Sequence, residues 1–432
     1  MRNATIRWAF LVLAPALLWP QPVRGQLPGA SPATMGTGYN YMALARGFAA
    51  NGLNPAGLGM PESQGFTLAL FPIHASQSLD PLTFSNIFDY EGETIPRSVK
   101  EDWVQNITAE GGQTGSGRAE ISPFSLSFDH FGLQLSTIAF GRTDLSPDAA
   151  ELLLFGNAGR TGDPADLDLR GSGVTGYAVT TLGISYGIPL SQRWVPGVEQ
   201  GLAIGFTLKQ SWGHALAFAE DAGTLFINGD PVAINMELPV IHPSSDGGNW
   251  SRGGGIGLDL GAAWERGPWA AGAAILNLFH TFEWDLGELT YRAGRAVFDG
   301  NENNSTFDAE PAGEAPASVR EKIEELTFEP TLSLGGAYDA MEELTVTAEV
   351  RHRLGDGLDT GPKSHFGLGM QYLPSPIVPL RAGFAVITDG FQIGGGTGLM
   401  LGPVHLGIGA LYQTGDVGDG FSGTFGLSFG GG

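Results

Sequence analysis

Residues 343–353 read ELTVTAEVRHR, and two kinds of side chain alternate along most of this stretch. One row of positions holds the apolar residues Leu344, Val346, Ala348 and Val350. The intervening row holds Glu343, Thr345, Thr347, Glu349, Arg351 and Arg353. Because successive side chains of a strand point to opposite faces, this alternation predicts a β-strand with one apolar and one polar face.

The same pattern recurs through most of the chain. Segments of about ten alternating residues separated by turns are typical of the strands of a transmembrane β-barrel. The predicted strands cover residues 65–77, 119–128, 132–142, 174–190, 200–217, 252–265, 268–283, 328–339, 342–354, 364–373, 379–389, 391–401, 403–414 and 420–429. We therefore expect an all-β fold, namely an antiparallel outer-membrane β-barrel of about 14 strands.

The connections between the predicted strands alternate between short and long. The long linkers are residues 78–118, 143–173, 218–251 and 284–327. Bacterial barrels have an even strand number, short periplasmic turns and longer external loops, so we place these linkers outside the cell. This alternation of short and long connections is not expected of a soluble β-sandwich. The barrel with its loops is therefore assigned to residues 65–432.

Two details of the strand ends and linkers carry further expectations. Residues 315–326, APASVREKIEEL, predict a short amphipathic helix. We expect this helix to be a solvated part of its loop, because a charged helix usually presents a solvated face. Aromatic residues at strand ends predict girdles at the membrane surfaces, and they are Trp264, Trp269, Phe282, Trp284 and Tyr412.

Composition excludes several classes of protein. The 432 residues include 45 acidic and 22 basic side chains, for a formal charge of -23. Such a chain repels nucleic-acid phosphates, so no nucleic-acid partner is expected. The chain has no cysteine, which excludes disulfides and thiolate zinc sites. Its histidines lack the spacing of a zinc site, and neither a metal nor a cofactor is expected.

The first 25 residues have the features of a secretory signal peptide. Arg2 and Arg7 form its basic region, and an apolar stretch follows over residues 8–19. That stretch is shorter than the roughly 20 residues of a membrane-spanning helix. We therefore expect an exported protein in the outer membrane of a Gram-negative-type bacterium. Its expected partners are outer-membrane lipid and the assembly machinery for barrels.

Several stretches resemble a known family. Residues 45–59, ARGFAANGLNPAGLG, resemble the plug region of the long-chain fatty acid outer-membrane transporters. Residues 253–264, 274–278 and 328–350 are similar to strands of that superfamily, which includes barrels associated with type IX secretion. Residues 146–157 resemble a loop motif of uncharacterised relatives. The resemblance implies a plug-like segment over residues 26–64, with Asn54 and Pro55 as candidate plug residues.

A candidate ligand site lies in the second long linker. Ser146 and Pro147 predict the start of a short helix, because they are favoured at the cap and first turn. The helix ends in the apolar run Leu152, Leu153, Leu154 and Phe155. An apolar run in an external loop requires burial or a ligand. These residues either contact a hydrophobic small molecule or pack on neighbouring loops.

Alternation also assigns charged residues to the lumen. They are Lys209, Asp259, Glu343, Glu349, Arg351, Arg353 and Arg381. Paired structural charges are favoured over a polar path, because buried charges require partners. Glycines on the same inward rows leave room for a plug or for close backbone approach. They include Gly205, Gly257, Gly261, Gly407 and Gly409.

These observations favour a barrel that takes up or passes hydrophobic small molecules such as fatty acids. Such a molecule would be released by plug movement or through a lateral gap between strands. The alternative is a structural or secretion-associated barrel that docks partner proteins and transports nothing. An enzyme is not expected. Two G-x-S-x-G matches, residues 183–187 and 426–430, lie within predicted strands, whereas a hydrolase nucleophile requires a strand-to-helix turn.

Overall fold

The computed structural model describes residues 31–61, 65–156, 159–160, 166–190, 201–227, 233–244, 249–298, 303–388, 390–415 and 419–430. The predicted signal peptide, residues 1–25, lies outside the described residues. Within the described part of the chain, no helix is long and apolar enough to cross a membrane.

Fourteen antiparallel strands form a closed barrel, as predicted. They are β1 (Phe66–Asp80), β2 (Gln113–Phe128), β3 (Phe131–Leu145), β4 (Gly173–Leu190), β5 (Leu202–Glu220), β6 (Gly253–Arg266), β7 (Trp269–His280), β8 (Thr331–Met341), β9 (Leu344–Arg353), β10 (Ser364–Ser375), β11 (Val378–Ile387), β12 (Gly390–Leu401), β13 (Val404–Gln413) and β14 (Asp419–Gly430). Each strand pairs with the next along the chain. Strand β14 pairs back onto β1, so the barrel wall has no free edge.

The two faces of the wall have the polarity of a membrane barrel. On β9, Val346 and Val350 are 38% and 45% exposed, whereas Glu349 and Arg351 are 2% and 5% exposed. A soluble protein places its apolar row inside, and this barrel places it outside. The outward row is a lipid-facing belt, since lipid-facing and lumen-facing residues alternate along barrel strands.

The connections divide the barrel into two ends. The short-turn end carries the turns that follow β2, β6, β8, β10 and β12. The long-loop end carries the predicted long linkers and residues 354–363. Its helices are α3 (Phe84–Phe88), α4 (Arg97–Glu110), α5 (Pro147–Phe155) and α6 (Ala317–Glu324), with 3-10 turns at Leu286–Glu288 and Ala312–Glu314.

Short loop strands extend the wall at the long-loop end. Val240–Pro243, Glu283–Trp284, Leu289–Arg292 and Ala309–Pro311 join the barrel sheet. A separate five-stranded sheet contains Leu167–Asp168, Leu225–Ile227, Ala233–Glu237, Arg295–Phe298 and Asn303–Thr306.

The largest apolar core lies at the long-loop end. Inward residues such as Tyr177 and Leu216 meet loop residues there, and Ile241 is fully buried among them. We define this mouth cluster as Phe140, Tyr177, Val179, Leu216, Ile241, Phe282, Trp284, Leu289, Tyr291, Ala312, Ala315, Val319, Ile323 and Leu358. It covers the end of the lumen with apolar side chains.

The mouth cluster corrects two expectations. Helix α6 forms as predicted and its charged face is exposed. It is nevertheless more than a solvated part of its loop, because Val319 and Ile323 on its other face are buried in the cluster. Phe282 and Trp284 are not girdle residues, since they are 2% and 7% exposed in the same cluster. These aromatic residues alternate with polar ones in the same way whether their rings face the membrane or pack in a loop core. The sequence pattern therefore could not separate a membrane surface from a loop core.

An N-terminal segment, residues 31–61, lies inside the barrel near the short-turn end. It comprises α1 (Pro32–Gly36), α2 (Ala50–Leu53) and 3-10 turns at Met42–Leu44, Gly47–Ala49 and Pro55–Gly59. Most of its residues are buried against the inner wall. The segment occupies this half of the lumen.

Candidate functional site

Asn54 and Pro55 anchor the N-terminal segment to the wall. Pro55 disfavours a helical backbone at Asn54, which is extended with φ -158° and ψ 101°. The Asn54 side chain then accepts a hydrogen bond from the Ala56 amide at 3.1 Å and donates one to the Ala262 carbonyl at 2.9 Å. One amide group therefore caps the turn Pro55–Gly59 and fastens it to β6.

Inward glycines provide the room for this segment. An added Cβ on Gly205 would lie 2.5 Å from the Pro55 carbonyl oxygen, and one on Gly407 would lie 2.7 Å from the Pro32 side chain. Gly261 faces Asn54 in the same way, whereas a Cβ on Gly409 would lie 3.3 Å from the Met35 Cβ. Gly257 differs, because its nearest neighbours are Lys209 and Phe279 of the adjacent strands. The glycine rows allow the segment backbone to approach the wall directly.

Two of the predicted lumen charges hold the middle of the segment. Glu349 accepts hydrogen bonds at 3.0 Å from the amides of Tyr41 and Met42, at the start of a 3-10 turn. Arg351 forms an ion pair with Glu349 and donates to the Tyr39 carbonyl at 3.1 Å. Both side chains are almost completely buried, so each charge needs a partner, and the ion pair provides it.

Lys209 and Asp259 form a second buried pair across β5 and β6. The Lys209 Nζ lies 2.7 Å from an Asp259 carboxylate oxygen, and the two side chains are 11% and 1% exposed. The Asp259 carboxylate also accepts a hydrogen bond from the backbone N–H of Asn277 at 2.7 Å. Asn277 has a left-handed backbone with φ 52°, where the pairing of β6 with β7 is irregular. This pair is a structural element of the wall.

The remaining predicted lumen charges differ from one another. Arg381 points inward and donates to the Gln371 side chain at 2.8 Å. Arg353 instead organises the loop 354–363, donating to the carbonyls of Gly355 and Gly361 at 3.1 and 3.0 Å. The assignment of Glu343 to the lumen is wrong. Strand β9 begins only at Leu344, so Glu343 lies exposed in the short turn before it.

The loop that Arg353 organises crosses the mouth of the barrel. Its Leu358 is 2% exposed within the mouth cluster. The Asp359 carbonyl accepts hydrogen bonds from Arg118 of β2 at 3.0 Å and from Tyr177 of β4 at 3.1 Å. A loop between β9 and β10 is thereby tied to distant strands across the long-loop end of the barrel.

The apolar run of α5 is divided between packing and exposure. Ser146 caps the helix by accepting the Ala149 amide at 3.3 Å, as predicted. Leu154 packs on a small core with Trp103 and Ile107 of α4, and Leu152 is half-buried. Leu153 is 50% exposed.

Phe155 has a different environment from the leucines before it. The Arg97 guanidinium and the Lys100 ammonium lie 5.7 and 6.0 Å from the centre of its ring. These distances are within the range of cation–π attraction. The end of α5 therefore combines apolar surface with two positive charges.

A further ion pair lies on a loop nearby. Arg170 donates to the Asp168 carboxylate at 2.8 Å, and this hydrogen bond holds the pKa of Asp168 below its usual range. Lys363 lowers the pKa of Asp356 in the same way on the loop 354–363. Both carboxylates are therefore ionised and engaged at neutral pH.

The wall itself contains a feature that the sequence analysis missed. Strands β1 and β2 pair at Leu70 with Phe124 and again at Ile73 with Ile121, but not between these rows. We call the unpaired rows, Phe71, Pro72, Ser122 and Pro123, the wall gap. Neither proline has an amide hydrogen to donate to the ladder. Phe71 also has a left-handed backbone with φ 49°.

Both neighbouring ladders adjust at the same height. The pairing of β1 with β14 shifts between Leu70 and Ile73, and that of β2 with β3 shifts between Ile121 and Phe124. Pro72 and Ser122 are buried on the lumen side, whereas Phe71 is 56% exposed on the lipid side. The wall gap thus lies between the lumen and the lipid-facing surface. Prolines inside predicted strands were its only sequence signal.

Comparison with solved structures places the fold. The Ralstonia pickettii toluene transporter TbuX matches with a TM-score of 0.50 at 13% identity, over 93% of this chain and 98% of that chain. A Pseudomonas aeruginosa FadL homologue matches with a TM-score of 0.47 at 12% identity, over 94% and 99% of the two chains. At such identities the likeness concerns the fold. It agrees with the resemblance of residues 45–59 to the fatty acid transporters.

Comparison of sequences identifies the family. No curated protein sequence matches the chain. The profile of a Family of unknown function (DUF5723) matches residues 59–410, which is more than half of the chain. The chain therefore belongs to the DUF5723 family, and its barrel has the fold of the FadL-type transporters.

Proposed function

We propose that this protein is an outer-membrane barrel that passes hydrophobic small molecules, fatty acids among them, from the cell exterior into the membrane. The observation that carries this proposal is the wall gap between β1 and β2. The lumen is filled near the short-turn end by the N-terminal segment and covered at the other end by the mouth cluster. The wall gap lies beside the N-terminal segment, whose Tyr39 hydrogen-bonds to His74 just beyond Pro72 at 3.1 Å. An interruption of the wall there suits a molecule that leaves sideways into lipid.

Apolar burial supplies the driving force at each step of the proposed route. A molecule first contacts Leu153 and Phe155 at the external surface, where they present apolar area. It next enters the lumen beneath the loop 354–363. It leaves through the wall gap, where Phe71 already faces lipid. Each transfer out of water is favourable by roughly 25 cal/mol per Å² of apolar surface.

The TbuX fold is compatible with this function, since that protein is a toluene transporter. The outer membrane is the expected location, because barrels of this fold class with an apolar belt require a bilayer. Outer-membrane lipid and the barrel assembly machinery are accordingly the proposed partners.

Repair of the wall gap tests the proposal. Replacing both prolines, Pro72→Val with Pro123→Val, restores two amide donors to the ladder. Gram-negative cells expressing the protein are given 1-N-phenylnaphthylamine, an apolar dye that fluoresces on reaching phospholipid. We expect faster uptake than in cells with empty vector, and loss of that difference in the double variant. Pro374→Val, at an exposed site near the end of β10, is the matched control.

The result depends on a correctly folded barrel. Heat-modifiable migration on a gel is therefore measured for every variant. Equal dye uptake by the double variant and the Pro374→Val control would exclude the wall gap as the exit. Leu153→Asp provides a second measurement, and we expect it to slow uptake at low dye concentration because it charges the first contact surface.

A partner-docking barrel without transport is the second candidate. Its support is the external loop sheet, which includes the partly exposed strand Arg295–Phe298 with Val297 42% exposed. This candidate predicts dye uptake equal to that of empty-vector cells for the natural protein. It also predicts that a partner protein co-purifies and is lost when Val297 is replaced by Asp. The uptake assay therefore separates the two functions.

A further inference from the structure

The loop 354–363 reaches across the long-loop end, and the hydrogen bonds from the far wall converge on one of its carbonyl groups. The Asp359 carbonyl oxygen accepts hydrogen bonds from Arg118 of β2 at 3.0 Å and from the Tyr177 hydroxyl of β4 at 3.1 Å. Beside it, the Leu358 amide donates to the Thr327 carbonyl at 2.7 Å. The Leu358 side chain is 2% exposed in the mouth cluster. We call residues 357–360 the loop tip.

The base of the loop is fixed by a separate set of contacts. The Arg353 side chain donates to the carbonyls of Gly355 and Gly361 at 3.1 and 3.0 Å. The Arg353 amide donates to the Lys363 carbonyl at 2.8 Å, and the Lys363 Nζ lies 2.7 Å from an Asp356 carboxylate oxygen. All of these groups belong to the hairpin of β9 and β10. They can therefore stay in place when the loop tip leaves β2 and β4.

Arg118 is incompletely satisfied while it holds the loop tip. Its side chain is 1% exposed, and its Nη1 donates to Asp359, but its Nε and Nη2 have no hydrogen-bond partner among the described residues. Ser76 lies beside Arg118 in the same cross-strand row, and its buried hydroxyl likewise has no partner in the described part of the chain. Buried polar groups without partners cost free energy. Departure of the loop tip would bring water to them, so opening costs less than the two lost hydrogen bonds suggest.

We propose that the loop tip is a lid, which opens away from Arg118 and Tyr177 while its base stays on Arg353. The open lid admits water and solutes from the exterior to the inner face of β1 and β2, where Ser76 and Arg118 lie. Elements that open locally are those held by few contacts. As an entrance gate the lid rests on the proposed transport, whereas its opening is a property of the fold and is measured separately.

Cysteine labelling tests the lid, because the chain has no cysteine of its own. Ser76→Cys places one thiol behind the closed lid, at a site that is 2% exposed. The purified protein in non-ionic detergent is treated with sulfonatoethyl methanethiosulfonate, a water-soluble anionic thiol reagent, and the intact mass gives the labelling rate. When opening is fast relative to labelling, this rate follows the population of the open lid.

Two variants weaken the closed lid in different ways. Tyr177→Phe removes a hydroxyl donor and keeps the ring, whose centre lies 5.1 Å from that of Phe140. We expect it to speed labelling of Ser76→Cys about two- to tenfold, the effect of one hydrogen bond. Leu358→Ala removes the apolar anchor of the lid, and we expect an increase of about thirtyfold or more.

Matched variants control the measurement. Tyr291→Phe removes another tyrosine hydroxyl from the mouth cluster, and Ile107→Ala removes a buried aliphatic side chain from the small core of α4 and α5. Neither residue belongs to the lid, so both variants should leave the labelling rate of Ser76→Cys unchanged. Ser127→Cys, fully buried near the short-turn end, should label slowly whether or not the lid is weakened. Heat-modifiable migration verifies that each variant is folded.

An unchanged labelling rate of Ser76→Cys in Tyr177→Phe and Leu358→Ala would overturn the lid. Labelling that is already as fast as that of the exposed Ser305→Cys would also overturn it, since the inner face would then never be covered. Equal acceleration of Ser127→Cys would show a general loosening of the barrel instead of a lid. The dye-uptake assay is independent of these rates. Lid-dependent labelling without dye uptake removes the proposed transport alone, whereas dye uptake with labelling that the variants do not change removes the lid alone.

Discussion

Replacement of Gly205 by alanine tests whether the N-terminal segment is held by close contact with the wall. Gly205 lies on the inward face of β5, and an added Cβ would come within 2.5 Å of the Pro55 carbonyl oxygen. The neighbouring atoms belong to the backbone of the segment, so no flexible side chain can move aside. Gly395 of β12 is the matched control, because a Cβ there meets nothing within 4 Å.

The expected magnitude follows from two opposing terms. Overpacking of a well-packed site costs about 1–3 kcal/mol. Alanine regains roughly 0.5–1 kcal/mol relative to glycine in a strand, because glycine loses more conformational freedom on folding. The net loss for Gly205→Ala is therefore about 1 kcal/mol. Gly395→Ala has only the favourable term, so its effect has the opposite sign.

Trypsin measures the position of the segment. Arg46 is the single basic residue within residues 31–61, and its side chain is 14% exposed. Cleavage after Arg46 requires the segment to leave the wall, and the rate follows the population of that open form when opening is fast. A loss of about 1 kcal/mol raises this population about fivefold. Mass spectrometry of the released N-terminal peptide gives the rate.

We expect faster cleavage after Arg46 in Gly205→Ala and unchanged or slower cleavage in Gly395→Ala. Thermal loss of the barrel, followed by heat-modifiable migration, should change little in both variants. Equal cleavage rates in the two variants would refute the argument that inward glycines position the segment. Cleavage that is already complete in the natural protein would refute the buried placement of Arg46.

Three other perturbations have defined outcomes. Asn54→Ala should weaken segment docking by about 1–2 kcal/mol, because it removes a cap and a wall contact, and the same trypsin assay measures it. Lys209→Met should destabilise the barrel by about 3–5 kcal/mol in urea unfolding, and adding Asp259→Leu should restore most of that loss. Met35→Cys with Gly409→Cys, whose Cβ atoms would be 3.3 Å apart, should form a disulfide in this cysteine-free chain. Dye uptake should persist in that oxidised variant if release occurs through the wall gap, and should stop if the segment must move.

The barrel could be predicted from the sequence because its signal is local. A strand repeats every two residues, so each inward and outward row is visible in a short stretch. The error at β2 has the same origin. This strand begins at Gln113, six residues before the predicted start at 119, because QTGSGR is polar on both faces. Alternation carries no information where both rows are polar.

The contacts of the lumen could not be predicted in this way. Glu349 accepts a hydrogen bond from the Tyr41 amide, 308 residues away along the chain. Arg118 donates one to the Asp359 carbonyl, which is 241 residues away. Alternation predicts that such residues face inward, and it does not predict their partners. The same limit applies to the wall gap. Pro72 and Pro123 each interrupt one strand, but only the pairing of those strands brings them to the same height.

The glycine content acquires a specific meaning from these contacts. Glycines at 205, 261 and 407 lie where segment atoms approach the wall more closely than any Cβ would allow. A water-filled pore has no need of such positions, since its inward side chains meet only water and ions. The inward rows of this barrel are therefore built to hold a particular piece of its own chain. The wall gap lies at the height of this segment, because Tyr39 hydrogen-bonds to His74 just beyond Pro72 on β1. A solute that crosses this barrel must therefore pass alongside the segment or displace it.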